Sequence, residues 1–264
     1  MLPDKIKLLD VCIGKNGGGQ LLHQSRFEFR YLDASASQLP VGLLMPATQL
    51  TYHDSALFAV MDQNLPEGDL FMRLRQMFPK QAMTAMHLLA LCGANGIGRL
   101  GFALPGSAPP ASPIFISRQQ LLSMPFTPAV FDELVQAYLS TGAGVAGMQP
   151  KIMVPDRPTI AIPTVIVKAA SSAYPGLAAN EFLCLKAASA AGIATPGFEL
   201  SHDGQVLLVD RFDIEPNGDR IGFEDITPWH SSCLPARARP AATQALQNCA
   251  VLEARYAGSK RRRR

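Results

Sequence analysis

Phosphate binding is the chemistry that this sequence indicates most clearly. The segment Gly142-Ala-Gly144-Val-Ala-Gly147 has the GxGxxG spacing of loops that hold nucleotide phosphates. Glycines suit such a loop because main-chain N–H groups can approach phosphate oxygens when no Cβ stands in the way. Farther along, Val165-Ile-Val-Lys168 ends in an ammonium group that can neutralise phosphate charge. The two features together predict a site for phosphoryl transfer.

The elements expected around the glycines decide which kind of phosphate loop this is. A dinucleotide-binding loop needs a strand before it and a helix after it. Here a helix is predicted from Thr127 to about Leu139, and Pro150 prevents a helix from following the glycines. Lys168 stands where an acidic partner for the ribose would be expected, and no Gly-Lys-Ser/Thr follows to make a Walker loop. A glycine hairpin followed by a strand that ends in lysine is typical of a kinase.

Further motifs lie in both parts of the chain. In the second part they are Gly144–Lys151, Ile166–Lys168, Asn180–Cys184, Leu208–Asp213 and Phe223–Asp225; in the first part they are Phe29–Tyr31, Leu39–Pro46, Asn64–Gly68 and Gly96–Gly98. These motifs, over roughly residues 6 to 225, resemble those of the HipA-type serine/threonine kinases of bacterial toxin–antitoxin modules.

The resemblance implies an α+β fold, namely a HipA-like kinase fold. The expected domains are an N-terminal subdomain over residues 1–106 and a nucleotide-binding lobe, the kinase N-lobe, over residues 114–225. The segment Gly106 to Pro113, dense in residues that resist regular structure, separates the two. Residues 226–264 match nothing in the family and are expected to be a disordered tail.

The resemblance also assigns residues to ATP. The glycine loop would cover the phosphates, and Lys168 would contact them. The main chain of Asp210 and Phe212 would contact adenine. Glu181, near the start of the next predicted helix, either pairs with Lys168 or is a solvated glutamate in a first helical turn. The loop residues implied are Gly144, Val145, Ala146, Gly147, Met148, Gln149 and Lys151.

The sequence departs from the family pattern in two places. Family members often carry a phosphorylatable serine in the loop, but Gly144 and Ala146 have no hydroxyl, and Ser140 and Thr141 are better suited to a helix end. After Asp225 the family continues through a helical lobe that bears a catalytic aspartate and a magnesium-binding aspartate. That lobe is missing here, so no catalytic residue and no metal ligand is assigned, although the family uses ATP with Mg²⁺.

Two explanations are open for the segment 226–264, which is rich in Ala, Pro and Arg and ends in Lys260 to Arg264. A frameshift or an interrupted gene is favoured, and an evolved basic tail is the rival. The acidic residues that remain could be recruited for catalysis, but hinge and salt-bridge roles are favoured for them. They are Asp210, Asp213, Glu224 and Asp225.

The resemblance therefore predicts a protein kinase that phosphorylates a protein of the translation machinery and has a HipB-like DNA-binding antitoxin as partner. This chain is expected to be inactive because it is truncated. The alternative is a non-enzymatic module that binds an antitoxin or a complementary kinase fragment.

Composition agrees with a globular protein and excludes several other classes. Of the 264 residues 48% are hydrophobic, and the net charge of +3 does not indicate a nucleic-acid-binding surface. No apolar run is long enough to span a membrane, so the cytoplasm is the expected location. The five cysteines lack disulfide or zinc spacing and are expected to be reduced and mostly buried.

Hydrophobic periodicity predicts the elements that would position the site. Strands are expected at Leu8–Ile13, with Asn16–Gly19 as the following turn, and at Arg26–Tyr31, where Phe27, Phe29 and Tyr31 share one face. Helices are expected from Pro66 to Phe78 and from Ala82 to Cys92, the second ending at a left-handed Gly93. In the second part, strands are expected at 152–154 and 160–168, a helix at 177–191, and a hairpin of 198–200 with 206–212 across His202-Asp-Gly204.

Overall fold

The fold was analysed in a computed structural model of the chain. The residues that it describes are 3–32, 39–107, 115–127, 129–131, 133–135, 151–154, 156, 164–170, 175–215 and 217–224. Two antiparallel sheets and the helices between them make up this part of the chain. The α+β class predicted from the sequence is confirmed.

The first sheet has five strands in the order β4-β3-β2-β1-β5. Its strands are β1 (Leu8–Ile13), β2 (Asn16–His23), β3 (Phe27–Tyr31), β4 (Thr51–Asp54) and β5 (Leu100–Ala103). Alternation in β3 buries Phe27, Phe29 and Tyr31 on one face, as predicted.

The predicted turn at Asn16–Gly19 is wrong, because Asn16 already pairs with Ile13 and starts β2. The chain reverses at Gly14, whose φ of 67° is the left-handed conformation that glycine favours. The later glycines serve close packing instead. A Cβ on Gly19 would lie 2.3 Å from the Arg30 carbonyl oxygen and 2.5 Å from Phe29 Cζ.

The described residues include five complete helices, namely α1 (Ala59–Asp62), α2 (Gly68–Met77), α3 (Ala85–Cys92), α4 (Arg118–Ser123) and α5 (Leu177–Ala190). Residues 129–131 and 133–135 are also helical, and Thr127 Oγ1 accepts the Val130 N–H at 3.2 Å, as expected of its predicted N-cap. None of the described helices is long and apolar enough to cross a membrane.

Helix α3 begins later and ends differently from its prediction. It starts at Ala85 because Thr84 caps it, with the Thr84 N–H donated to His87 Nδ1 at 3.3 Å. Gly93 is not left-handed, since its φ is −87°. Glycine fits there because a Cβ would lie 2.5 Å from the Leu89 carbonyl oxygen and 2.8 Å from Phe102 Cδ2.

The second sheet has four antiparallel strands in the order β6-β7-β9-β8. They are β6 (Lys151–Val154), β7 (Val165–Ala169), β8 (Phe198–Leu200) and β9 (Val206–Asp210). The predicted hairpin is confirmed, with Gly204 at φ 71° in its turn. Residues 157–163, the first part of the predicted strand before Lys168, lie outside the described residues. Strand β9 stops at Asp210, two residues before its predicted end.

Helix α3 joins the two sheets into one packed unit. Met86 and Leu89 belong to the apolar core of the first sheet, whereas Leu88 and Cys92 belong to the core of the second. Helix α2 adds Leu70 to the second core. The nucleotide-binding lobe predicted from the sequence therefore rests directly on helices of the N-terminal subdomain. The boundary drawn at Gly106–Pro113 stays a prediction, since residues 108–114 lie outside the described part.

The expectation of mostly buried thiols is wrong for the cysteines that are described. Cys92 is buried, but Cys12 and Cys184 are exposed. Cys12 points away from the core because residues alternate along β1. Cys184 lies on the outer face of α5.

Candidate functional site

Lys168 lies in the middle of the second sheet. It pairs with Lys151 of β6 on one side and with Leu207 of β9 on the other. Because side chains alternate along a strand, Lys168 shares its face of the sheet with Ile166 and with Leu207. This is the face that α5 covers.

The ammonium group of Lys168 forms an ion pair with the carboxylate of Glu181 from α5. The two side chains are 19% and 27% exposed, so the pair is sheltered but remains open to solvent on one side. Of the two interpretations left open by the sequence, the pair is confirmed and the solvated glutamate is wrong. The arrangement is that of a strand lysine held by a helix glutamate, as in kinases.

Local structure aims Glu181 at the strand. Gly176, at φ 72°, turns the chain into α5, and Ala178 in its first turn is fully buried. The Phe182 ring meets the Phe198 ring of β8 edge-on, with centroids 5.5 Å apart. These contacts fix the rotation of α5 about its axis and place Glu181 above Lys168.

The segment predicted to meet adenine follows directly from β9. The Asp210 N–H is donated to the Gly197 carbonyl at 2.8 Å. Phe212 is half-buried, and its ring packs edge-on against Phe223 at 5.6 Å between centroids. Asp210 is three residues beyond Leu207, the partner of Lys168, so the two predicted contacts are separated by about 10 Å along the sheet.

The side chain of Asp210 points to the opposite face of the sheet, where Arg118 binds it. Arg118 also donates from Nε to Asp156 Oδ2 at 3.0 Å and from Nη1 to Glu199 Oε1 at 2.6 Å. Burial alone would lower the pKa of Arg118, but the hydrogen bonds to Asp210 and the other two carboxylates raise it instead. Arg118 was missed in the sequence, where only the Ser117–Gln120 spacing of a capping box could have marked the start of its helix.

A second ion pair follows immediately, between Arg211 and Asp213. Both side chains are buried, with 0% and 1% exposed. Arg211 also donates to the carbonyls of Asn95 and Gly96, in the loop after α3. The salt-bridge role predicted for Asp213 is confirmed.

The other acidic residues also have structural roles where they are described. The side chain of Asp210 is bound by Arg118, and Glu224 Oε2 accepts the Leu43 N–H at 2.8 Å. Asp225 lies outside the described residues. These carboxylates hold the chain in place and do not converge, and within the described ranges no group of three or more His, Cys, Asp or Glu residues could hold a metal ion.

Most of the predicted phosphate loop lies outside the described residues. This holds for Gly144, Val145, Ala146, Gly147, Met148 and Gln149, and for Ser140 and Thr141. Lys151 is described through its main chain, which pairs with that of Lys168. Lys151, the last residue of the predicted loop, therefore lies beside Lys168 in the sheet, because β6 starts at Lys151.

Comparisons with known proteins agree with this geometry. The family model of the HipA N-terminal domain matches residues 9–103, and the model of the HipA-like C-terminal domain matches residues 143–255. The second match continues past Asp225, where the resemblance noted in the sequence stops. No curated protein sequence matches the chain.

Solved structures include a complex of HipA, HipB and operator DNA from Shewanella oneidensis MR-1. The match to it has a TM-score of 0.55 and 20% identity, and it covers 82% of this chain and 54% of that chain. The chain thus spans about half the length of that protein. A structure of the N-terminal domain of HipA toxin matches with a TM-score of 0.28 and 20% identity, over 39% of this chain and 93% of that chain. The two family models together cover most of the residues, in the order that the motifs predict, and the chain belongs to the HipA family.

Proposed function

We propose that this chain carries the ATP-binding part of a HipA-type serine/threonine protein kinase. The observation that carries the proposal is the ion pair between Lys168 and Glu181, on the face of the second sheet that α5 covers. Lysine is a compact cation with three donors, and Glu181 Oε1 uses one of them. The remaining N–H groups can reach phosphate oxygens while Glu181 keeps the side chain in one orientation.

The base end of the nucleotide would lie at Asp210 and Phe212. The Asp210 N–H is already donated to the Gly197 carbonyl. The main-chain group with which Asp210 can bind the amino group of a purine is therefore its carbonyl. The half-buried Phe212 adds an apolar contact. Lysine at the phosphates and main-chain groups at the base give the two-ended recognition that a nucleoside triphosphate requires.

Phosphoryl transfer depends on neutralising and positioning the phosphates, and magnesium normally takes part. The described residues do not fit a magnesium ion, because no group of three or more His, Cys, Asp or Glu residues among them could hold one. Asp210, Asp213 and Glu224 are bound instead to arginines or to a main-chain N–H group. What this part of the protein supplies is nucleotide binding through Lys168. Transfer to a serine of a translation-related protein, in the cytoplasm, is the activity that we propose for the complete kinase.

A HipB-like antitoxin is the partner that fits this family. The solved relative from Shewanella oneidensis was captured with HipB and operator DNA. In our proposal DNA is bound by the antitoxin and not by this chain, whose net charge is only +3.

Calorimetric titration with ATP tests the proposal, with Lys168→Met as the variant. Wild type should bind ATP, and Lys168→Met should lower the affinity at least about tenfold because the main phosphate cation is lost. Lys186→Met is the matched control, since Lys186 is an exposed lysine of α5 near Phe182. Absence of ATP binding by folded wild type would reject the proposal.

A second candidate function is a non-enzymatic module that binds a partner protein. It is favoured by the outer face of α5, where Leu183 is 64% exposed and Ala187 and Ala190 are exposed at helical spacing. Radiolabel from γ-labelled ATP distinguishes the candidates. Transfer to any protein acceptor would favour the kinase, whereas ATP-independent binding of an antitoxin without transfer would favour the module.

A further inference from the structure

The main chain leaves the second sheet between the two residues that would contact the base. Strand β9 ends at Asp210, and the next side chain, Arg211, turns into the protein. Its guanidinium donates from Nη1 to the Asn95 carbonyl at 3.0 Å and from Nη2 to the Gly96 carbonyl at 2.8 Å. Arg211 thereby attaches the base-binding segment to the N-terminal subdomain, to residues more than a hundred positions earlier in the chain.

Asp213 completes the attachment from the other side of Phe212. It accepts from Arg211 Nε at 2.9 Å, and its other oxygen accepts the Gly98 N–H at 2.8 Å. Gly98 has φ +86°, a conformation that glycine adopts most readily. The loop 95–98 and the segment 211–213 are therefore joined by hydrogen bonds with defined directions at both ends.

Stability alone is a weak explanation for such a pair. Burying two charges costs desolvation free energy, and replacing a buried ion pair with apolar residues is often neutral for stability. The planar guanidinium instead fixes the relative orientation of two chain segments, because its donors have fixed directions and bind acceptors on both segments. Arg211, the residue that is held in this way, lies between Asp210 and Phe212.

We propose that Arg211 is a positioning residue for nucleotide binding, through which the loop 95–98 of the N-terminal subdomain sets the orientation of the main chain at Asp210 and Phe212. The proposal rests on the ATP-binding function proposed above. It makes the N-terminal subdomain part of the base-binding end of the site, acting through Arg211.

The charges around the Arg211–Asp213 pair determine which variant tests the positioning role of Arg211. Arg220 lies close by and donates to the Asn95 side chain. Burial, and after it the charge of Arg211, lowers the pKa of Arg220 to about 10. Removing Asp213 would leave two cations together, whereas Arg211→Met leaves Arg220 and Asp213 as a balanced pair. Arg211→Met is therefore the better variant, and Arg211→Lys keeps the charge but loses the planar fork.

The experiment compares two ligands, ATP and inorganic tripolyphosphate, which carries the phosphates without the base. Both are titrated calorimetrically into wild type, Arg211→Met, Arg211→Lys and Lys168→Met, each at a temperature where circular dichroism shows it folded. Arg211→Met should weaken ATP about tenfold and leave tripolyphosphate within about twofold, because only the base end is displaced. Arg211→Lys should restore part of the ATP affinity, and Lys168→Met should weaken both ligands.

The outcomes separate the two proposals. If wild type binds ATP and folded Arg211→Met binds it equally well, or loses both ligands in the same proportion, Arg211 has no positioning role and the ATP site stands. If Arg211→Met does not fold, the same comparison is made with Arg211→Lys, and an unchanged ratio of the two affinities overturns the inference. If wild type binds neither ligand, the ATP site itself is rejected, and the inference with it.

Discussion

The two neighbouring ion pairs of the second sheet differ in how completely they are enclosed. Arg211 and Asp213 are 0% and 1% exposed, and the donors of Arg211 also meet two main-chain carbonyls. Lys168 and Glu181 are 19% and 27% exposed, and they lie where α5 crosses the sheet. The first arrangement fixes the chain, whereas the second keeps a cation accessible to a ligand.

The difference in exposure distinguishes a structural ion pair from a ligand-binding one, and it does so by geometry and not by residue type. A fully enclosed pair with satisfied donors has nothing left to offer a substrate. A sheltered pair with open donors retains binding capacity at little cost in stability. The variants below test this contrast through the free energy of unfolding.

The largest loss is expected for Asp213→Asn, which removes the charge of the carboxylate that lies against the buried guanidinium of Arg211 and close to the partly buried Arg220. Breaking a buried pair in this way typically costs about 3 to 5 kcal/mol. Urea unfolding followed by circular dichroism measures the loss. Asp219→Asn, an exposed carboxylate of the same segment, is the matched control and should change little. Equal stability of the two variants would show that enclosure does not distinguish the pairs.

An intermediate loss is expected for Arg118→Met, because Arg118 is partly exposed but binds three carboxylates. The variant removes the Arg118 guanidinium from Asp156, whose side chain is only 4% exposed and accepts from Arg118 Nε at 3.0 Å. We expect a loss of about 2 kcal/mol. Thermal and urea unfolding check the value, and a loss as large as that of Asp213→Asn would contradict the ranking by burial.

A small loss of stability with a large loss of binding is expected for Lys168→Met. The free energy of unfolding should fall by less than about 1 kcal/mol, since the pair is partly solvated and the methionine can cover the same apolar surface. The measurement is urea unfolding without nucleotide. A loss of several kcal/mol would mean that Lys168 is a structural cation.

The smallest effect is expected for Lys15→Ala at the exposed bridge to Asp219, where Nζ and Oδ1 are 2.6 Å apart. The hydrogen bond and charge of Lys15 hold the pKa of Asp219 below its ordinary value of 3.8. A lowered folded-state pKa contributes stability above the ordinary value and loses it as the pH falls through the lowered one. The variant should therefore match wild type at the lowest pH and show a higher Asp219 pKa in a carboxyl NMR titration. An unchanged Asp219 pKa would contradict the bridge.

Sequence patterns predicted the elements whose signal is local. Strand β1, the apolar face of β3 and the hairpin of β8 and β9 follow from alternation and turn residues, and α5 follows from its composition and Gly192. The patterns missed β2, whose glycines indicated a turn. They also missed β4, β5, α1 and α4, which are short and are held by partners distant in sequence. The end of β9 was missed for the same reason, since Arg211 turns inward toward Asn95 and Gly96, 116 and 115 residues away.

The candidate site was predictable to a similar degree. Lys168 and its glutamate partner follow from motif order, and the structure brings them together. Arg118, which binds Asp210, and Asn95, which accepts from Arg211, were not predicted, because the capping box before Arg118 and the glycines after Asn95 indicate local structure and not a distant partner. These contacts join residues 92 and 116 positions apart in the chain, so no local pattern could reveal them.

The central claim, that Lys168 is held at the phosphates of bound ATP, can be tested with an acyl-phosphate derivative of ATP. Such a reagent transfers its acyl group to a lysine amine beside the phosphates and releases ATP, and mass spectrometry of peptides locates the acylated residue. We expect acylation of Lys168 that excess ATP suppresses, with exposed lysines such as Lys15 unaffected by ATP. Acylation of Lys168 that is absent, or equal with and without ATP, would contradict the account.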